Sequence, residues 1–209
     1  MDSLPFSPAA DKNRKPILAE LRRLLADCSR VWEVGAGTGQ HAEYFAARLP
    51  WLTWQPTEHP DALPVLQPRC RAAALVNLAE PVALDITGGP WPDPWPDALY
   101  TANTLHIVAP ELVEALFAAC AKHGRPVTRL LVYGPVNYRG AYTSDSNARF
   151  DEWLKARDPR SGIRDYEWLD ELARRAGYVL LDDVAMPANN RLLCWERRDR
   201  FPAGAPGAP

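Results

Sequence analysis

Cysteine is scarce in this chain and never paired. Cys28, Cys70, Cys120 and Cys194 lie far apart in 209 residues, with no C-x-x-C among them. That spacing suits neither a zinc site nor a small disulfide framework, and it fits reduced thiols in a cytoplasmic protein. No metal site is expected. Dense basic blocks are also missing: 24 Lys and Arg are balanced by 26 Asp and Glu, a formal net charge of −2. Binding to nucleic acid or to an anionic membrane surface is therefore not expected. No apolar run approaches the roughly 20 residues that span a bilayer. The opening "MDSLPFSPAADKNRKP" lacks the basic-then-apolar order of a secretory signal. These absences predict a soluble, cytoplasmic protein.

What is present is an ordinary globular composition, 47% hydrophobic and 24% charged, over a length that suits one α/β domain across 1–200. The Pro/Gly/Ala-rich end, 201–209, is predicted to be disordered. "PILAELRRLLADC" (16–28) has apolar residues at 17, 18, 21, 24 and 25, which is helical spacing with Pro16 in the first turn. "RVWEV" reads as a strand entering a glycine turn, and "GQHAEYFAARLP" as a helix. "WLTWQPTE" and "PVALDIT" (81–87) read as the second and third strands, and a fourth ends near Asn103. A helix from Pro110 to Gly124 precedes "RLLVYGPV", the fifth strand. The polar loop "NYRGAYTSDSNARF" follows, then two helices and two strands joined by "MPANN". This order predicts a mostly parallel seven-stranded sheet with the last strand antiparallel and helices on both faces. Ligands of such sheets bind beyond the carboxyl ends of the strands, which singles out the loops after strands one to five.

The stretch "VWEVGAGTGQHAEYF" (31–45) puts Gly35, Gly37 and Gly39 on alternate positions, with Glu33 just upstream. A dinucleotide fingerprint needs its third glycine at position 40, which is Gln, and a pyrophosphate is poorly matched to a nearby carboxylate. No Gly-Lys-Ser/Thr follows, so a P-loop is excluded. Glu33 suits a ligand with positive charge, and S-adenosylmethionine (SAM) carries an ammonium and a sulfonium. Alternate glycines let the backbone approach such a ligand closely, because no Cβ intervenes.

Glu33-Val34-Gly35-Ala36-Gly37-Thr38-Gly39 resembles motif I of the class I SAM-dependent methyltransferases, E-x-G-x-G-x-G. Glu58 ends the second strand, in the roughly 20-residue window where an acid binds ribose hydroxyls in dinucleotide folds. The methyltransferases use an acid there in the same way. The resemblance also implies that Asp85 hydrogen-bonds the adenine amino group, although Asp85 equally suits a turn that it closes with its own side chain. Beyond the class, "SPAADKNRKPIL", "EVGAGTGQHAEYFA", "WQPTE", "ANTLHI", "YGPV", "SNARFDEWLKARDPRSGIRD" and "MPANN" resemble a narrower methyltransferase-like family of unknown function found in bacteria and animals. That resemblance covers about residues 8–197. It implies the Rossmann-like class I methyltransferase fold and SAM as cofactor, but no substrate. "WPDPWP" is richer in proline than the family pattern and leaves the third-to-fourth-strand connection open.

Methyl transfer from a sulfonium is an in-line displacement, so positioning and desolvation supply much of the rate. A base is needed only if the accepting atom must lose a proton. His106, after strand four, has a suitable pKa for that role, and it equally suits packing under a helix. Asn103 fits the methionine part of SAM or a substrate amine. Tyr133 and Tyr142, with Tyr138 and Arg139, belong to a loop that either closes over substrate or packs its aromatics on the flanking helix. Arg14 is placed to pair with the SAM carboxylate if the first helix folds over the cofactor. Asn189 and Asn190 mark the last turn. No Asn/Asp-Pro-Pro-aromatic run follows strand four, and no Pro-Cys pair, which disfavours base, amide and cytosine-C5 methylation. A small-molecule acceptor is expected, in a monomer or homodimer. A protein acceptor, and a SAM-binding sensor or scaffold without turnover, stay open.

Overall fold

Strand β1 (Arg30–Val34) lies at the centre of the sheet, with β2 (Thr53–Glu58) parallel on one side and β4 (Ala98–Ala102) parallel on the other. The structure, a computed structural model, describes residues 4–91 and 93–198. The predicted tail 201–209 lies outside the described residues. β3 (Val82–Ala83) continues the β2 edge, and β5 (Arg129–Asn137) follows β4 on the other side. Next come β8 (Asn190–Arg197) and β7 (Tyr178–Met186), so the order is β3-β2-β1-β4-β5-β8-β7. Among the described strands β8 is the reversed one, antiparallel to both β5 and β7. Seven strands with the last reversed is the sheet the sequence predicts. One strand was not anticipated: β6 (Arg164–Asp165) pairs with Val136 and Asn137, where β5 runs beyond the sheet.

The period of two along each central strand divides the core. Leu131 and Tyr133 of β5 pack with helices α1 (Pro8–Leu24) and α2 (Gln40–Ala46). Leu130 and Val132 pack on the opposite face with α4 (Pro110–His123) and α6 (Tyr166–Arg175). Both faces are covered, so the strands read as continuous apolar runs. Burying each such leucine contributes roughly 1.5–3 kcal/mol. Helix α3 (Leu63–Ala73) packs Leu66 and Cys70 against Ala36 of the glycine turn. Among the described residues no helix is long and apolar enough to cross a membrane.

Three local expectations are corrected. The first helix starts at Pro8 rather than Pro16, because Ser7 caps it and Pro8 occupies a first-turn position where no amide bond is lost. Pro16 therefore sits inside the helix. The third strand is only Val82–Ala83, because Asp85 accepts from the Thr87 amide and hydroxyl and turns the chain. The loop after β5 is shorter than expected, since α5 (Asp145–Arg157) begins at its Ser144 cap.

Candidate active site

At the carboxyl end of β1 the chain turns through Gly35, Gly37 and Gly39 at φ +73°, +56° and +76°. These are left-handed angles, which side chains other than glycine rarely adopt. A Cβ on Gly35 would lie 2.9 Å from Thr104 Oγ1, and one on Gly39 2.8 Å from Leu66 Cδ1. Gly37 faces open space, but its amide donates to Glu58 Oε2 at 2.7 Å, while the His59 amide donates to Glu58 Oε1 at 2.8 Å. Gln40, the residue that breaks the dinucleotide fingerprint, fastens α1 over this turn. Its Oε1 accepts from the Ser7 amide and the Thr38 hydroxyl, and its Nε2 donates to Ser7 O.

Three clefts meet beyond the carboxyl ends of the strands. The first, about 240 Å³, is lined by Glu33, the glycine turn, His41 and Asn103. The second, about 210 Å³, is more apolar and lies between Leu84, Ile86, Val108 and Leu112, with Glu58 and Asp85 at its polar edge. Gly35 and Thr104 line both of these clefts. The third, about 320 Å³, lies between the start of α1, Tyr133 and the β7–β8 connection, and shares Asn103 with the first. Asn103 takes φ +55°, and its amide donates to Tyr133 O at 2.9 Å.

Glu33 is only 2% exposed. Trp54 Nε1 donates to its Oε2 at 2.7 Å. Burial pushes its pKa up to about 8, opposed by the Trp54 bond and reinforced by the charge of Glu58. A buried carboxyl lining a cleft with its charge suppressed is matched to a cationic ligand, whose approach restores the ionised form. A left-handed glycine cradle, an acid at the end of β2 and an adjoining apolar slot suit the ammonium, ribose and adenine of SAM. These residues fit that cofactor.

Other predicted residues lie elsewhere. Asp85 takes part in its own turn, where the Thr87 hydroxyl and amide hold its carboxyl below the usual range. It keeps a place at the rim of the second cleft. Arg14 does not line the first cleft: it pairs with Asp11 at 2.6 Å and lies over the Tyr44 ring, in a separate pocket between α1 and α2. His106 is 4% exposed, packs edge-on against Phe150 and lines none of the three clefts. Burial lowers its pKa to about 4, with Arg164 adding to the effect, so it is a weak base. Tyr142 is drawn away from the clefts because its hydroxyl donates to Asp151 Oδ2 at 2.7 Å. The rest of the expected lid also hydrogen-bonds outside the clefts. Tyr138 donates to Asp183 Oδ2 at 2.7 Å, and the Arg139 amide to Glu167 Oε2 at 2.9 Å. Tyr133, by contrast, is buried at the wall of the third cleft. Asn190 lines that cleft too, while the Asn189 carbonyl accepts from Asn147 Nδ2.

Three residues beside these clefts escape a sequence reading. His41 Nε2 meets Asn13 Oδ1 at 2.7 Å, and Lys12 lines the third cleft. The available signal was the spacing of Asn13, Ile17, Leu21 and Leu24 at intervals of four, four and three. Continued backward from the apolar stripe, it puts Asn13 on the buried face.

The fold has many solved relatives. The apo form of SibL, described as an S-adenosylmethionine-dependent methyltransferase, matches with 22% identity over 91% of this chain and 56% of that one, TM-score 0.76. An O-methyltransferase family protein from Burkholderia thailandensis gives 17% identity, 88% and 56% coverage and TM-score 0.74. Human N-acetylserotonin methyltransferase in complex with SAM gives 14%, 88%, 51% and 0.73. The chain spans little more than half the length of these structures, and at such identities the likeness is one of fold. The family model described as "Protein of unknown function (DUF938)" matches residues 4–197. This chain, built on the Rossmann-like fold of the class I methyltransferases, therefore belongs to that family.

Proposed function

We propose that this protein is a SAM-dependent methyltransferase acting on a small-molecule acceptor. The observation that carries the proposal is the joining of three clefts, the first two lined by acids, at Gly35–Thr104 and at Asn103. When bound there, SAM supplies an activated methyl group on a sulfonium. The second cleft holds the adenine between apolar side chains, with Asp85 at its edge. Glu58 accepts from the ribose hydroxyls with the lone pairs that the Gly37 and His59 amides leave free. Glu33 takes the ammonium, and the alternate glycines let the backbone reach the methionine portion. Asn103, at the junction of the first and third clefts, orients the methyl-bearing end toward the acceptor. In-line alignment is then the main task of the site. His106 and Tyr142 lie outside the clefts, so general-base help is not assigned to them.

Calorimetric titration with SAM, S-adenosylhomocysteine and NAD tests this reading. Micromolar binding of both adenosyl compounds and none of NAD is expected. Binding of NAD alone would overturn it. A sensor or scaffold without turnover has no use for the third cleft, and release of S-adenosylhomocysteine in the presence of acceptor mixtures separates the two readings.

A further inference from the structure

The third cleft differs in charge from the other two. Acids line the first and second, Glu33 in one and Glu58 with Asp85 in the other. Among the described residues lining the third there is no acid, and Lys12 supplies a cation. Asp11, beside it in sequence, is already engaged with Arg14 at 2.6 Å. The adjoining donors are tied down behind the wall. Burial lowers His41 to about 4, against a hydrogen bond to the Ala10 carbonyl, so its ring is neutral with one donor and one acceptor nitrogen. Asn13 Oδ1 can only accept, which puts the ring proton on His41 Nε2, 2.7 Å away. Nδ1 then accepts from Tyr100 Oη at 3.4 Å. Burial raises the Tyr133 phenol above its ordinary pKa, with Asn13 opposing, so the hydroxyl keeps a proton that it can donate into the cleft it lines.

We infer that the third cleft binds an acceptor molecule bearing a carboxylate, which is held between the Lys12 ammonium and the Tyr133 hydroxyl. This rests on the proposed methyl-donor site in the neighbouring clefts. One cation and one neutral donor balance a monoanion, whereas a phosphate dianion calls for further cations. The volume, about 320 Å³, is near the lower end of ligand pockets and suits a small molecule. Glu58 and Asp85 disfavour a carboxylate in the second cleft, whereas Lys12 attracts one to the third.

Titrating the S-adenosylhomocysteine-loaded full chain with benzoate and with benzamide, followed by ligand-observed NMR, tests the assignment. Benzoate is expected to bind at least tenfold more tightly than its neutral isostere. Lys12→Ala and Tyr133→Phe are each expected to weaken benzoate about tenfold, the loss of one charge-assisted hydrogen bond, with benzamide unchanged. Lys12→Arg is expected to retain binding. Lys12 is exposed, so its variants test the proposal even if Tyr133→Phe fails to fold. Equal binding of the two probes, or unchanged benzoate affinity in both lysine and tyrosine variants, overturns the anchor. Loading with S-adenosylhomocysteine is read separately. If loading succeeds and benzoate shows no preference, only the anchor falls. If loading fails, the methyltransferase reading falls, and benzoate binding that depends on Lys12 in the unloaded chain still supports the anchor.

Discussion

The carboxylate of Glu58, at the end of β2, accepts a hydrogen bond from the amide of Gly37, at the crest of the glycine turn, over 2.7 Å. One acid thus both braces the turn and faces the slot where a ribose would lie. Glu58→Ala is expected to weaken SAM binding by about 1–3 kcal/mol, the scale of a lost charged hydrogen bond. Calorimetry reads this directly, and an unchanged affinity would remove Glu58 from the site.

Glu33 predicts a pH dependence of definite sign. Its folded pKa, about 8, stands above the ordinary 4.5, so between these values the folded protein holds a proton that the unfolded chain has released. Stability from this group is complete below pH 4.5 and is lost as pH rises toward 8, by up to about 1.4 kcal/mol per unit. Melting curves from pH 5.5 to 8.5 are expected to fall more steeply for the natural protein than for Glu33→Gln. Parallel curves would contradict the burial of that charge.

The same group links cofactor binding to protons. A cationic ligand favours ionised Glu33, so SAM binding at pH 7 is expected to release a proton and to strengthen as pH rises toward 8. Titration in two buffers of different ionisation enthalpy measures the release. No difference between them, or none lost in Glu33→Gln, would separate Glu33 from the ammonium.

The glycines are not equivalent. Gly35→Ala brings both a left-handed φ and a Cβ 2.9 Å from Thr104 Oγ1, whereas Gly37→Ala brings the φ strain alone. Backbone strain of this kind costs about 1–3 kcal/mol. Urea denaturation is expected to rank Gly35→Ala as the more destabilised of the two. The reverse order would mean that Thr104 yields freely.

Tyr142 and Arg14 are expected to matter for stability rather than for cofactor binding. Tyr142 shares Asp151 with Lys155 Nζ at 2.6 Å and the Ile163 amide at 2.6 Å. It is 42% exposed, so Tyr142→Phe should cost only about 1 kcal/mol. Arg14→Ala loses a surface pair and a stacked ring. Both variants are expected to bind S-adenosylhomocysteine within twofold of the natural protein. A tenfold loss in Arg14→Ala would return that arginine to the cofactor carboxylate.

The sequence by itself determined the order of the main strands and the glycine turn. Both are local: strand and helix periods are written in neighbouring residues, and Gly35, Gly37 and Gly39 are required by backbone angles that few other residues reach. The family match over 4–197 was legible for the same reason, as a row of short motifs in order. What only the tertiary structure decided is which side chains share a cleft. Arg14 and Asn13 are adjacent in sequence, yet a helix turns each residue by about 100°. One therefore faces Tyr44 and Asp11, and the other His41. Tyr142 follows β5, and Tyr133 lies within it. One found Asp151 on α5, and the other stayed in the sheet behind Asn103. Hydrogen-bond partners far apart in sequence choose between such alternatives, because a buried polar group without one is costly. That choice is made only when the chain has folded.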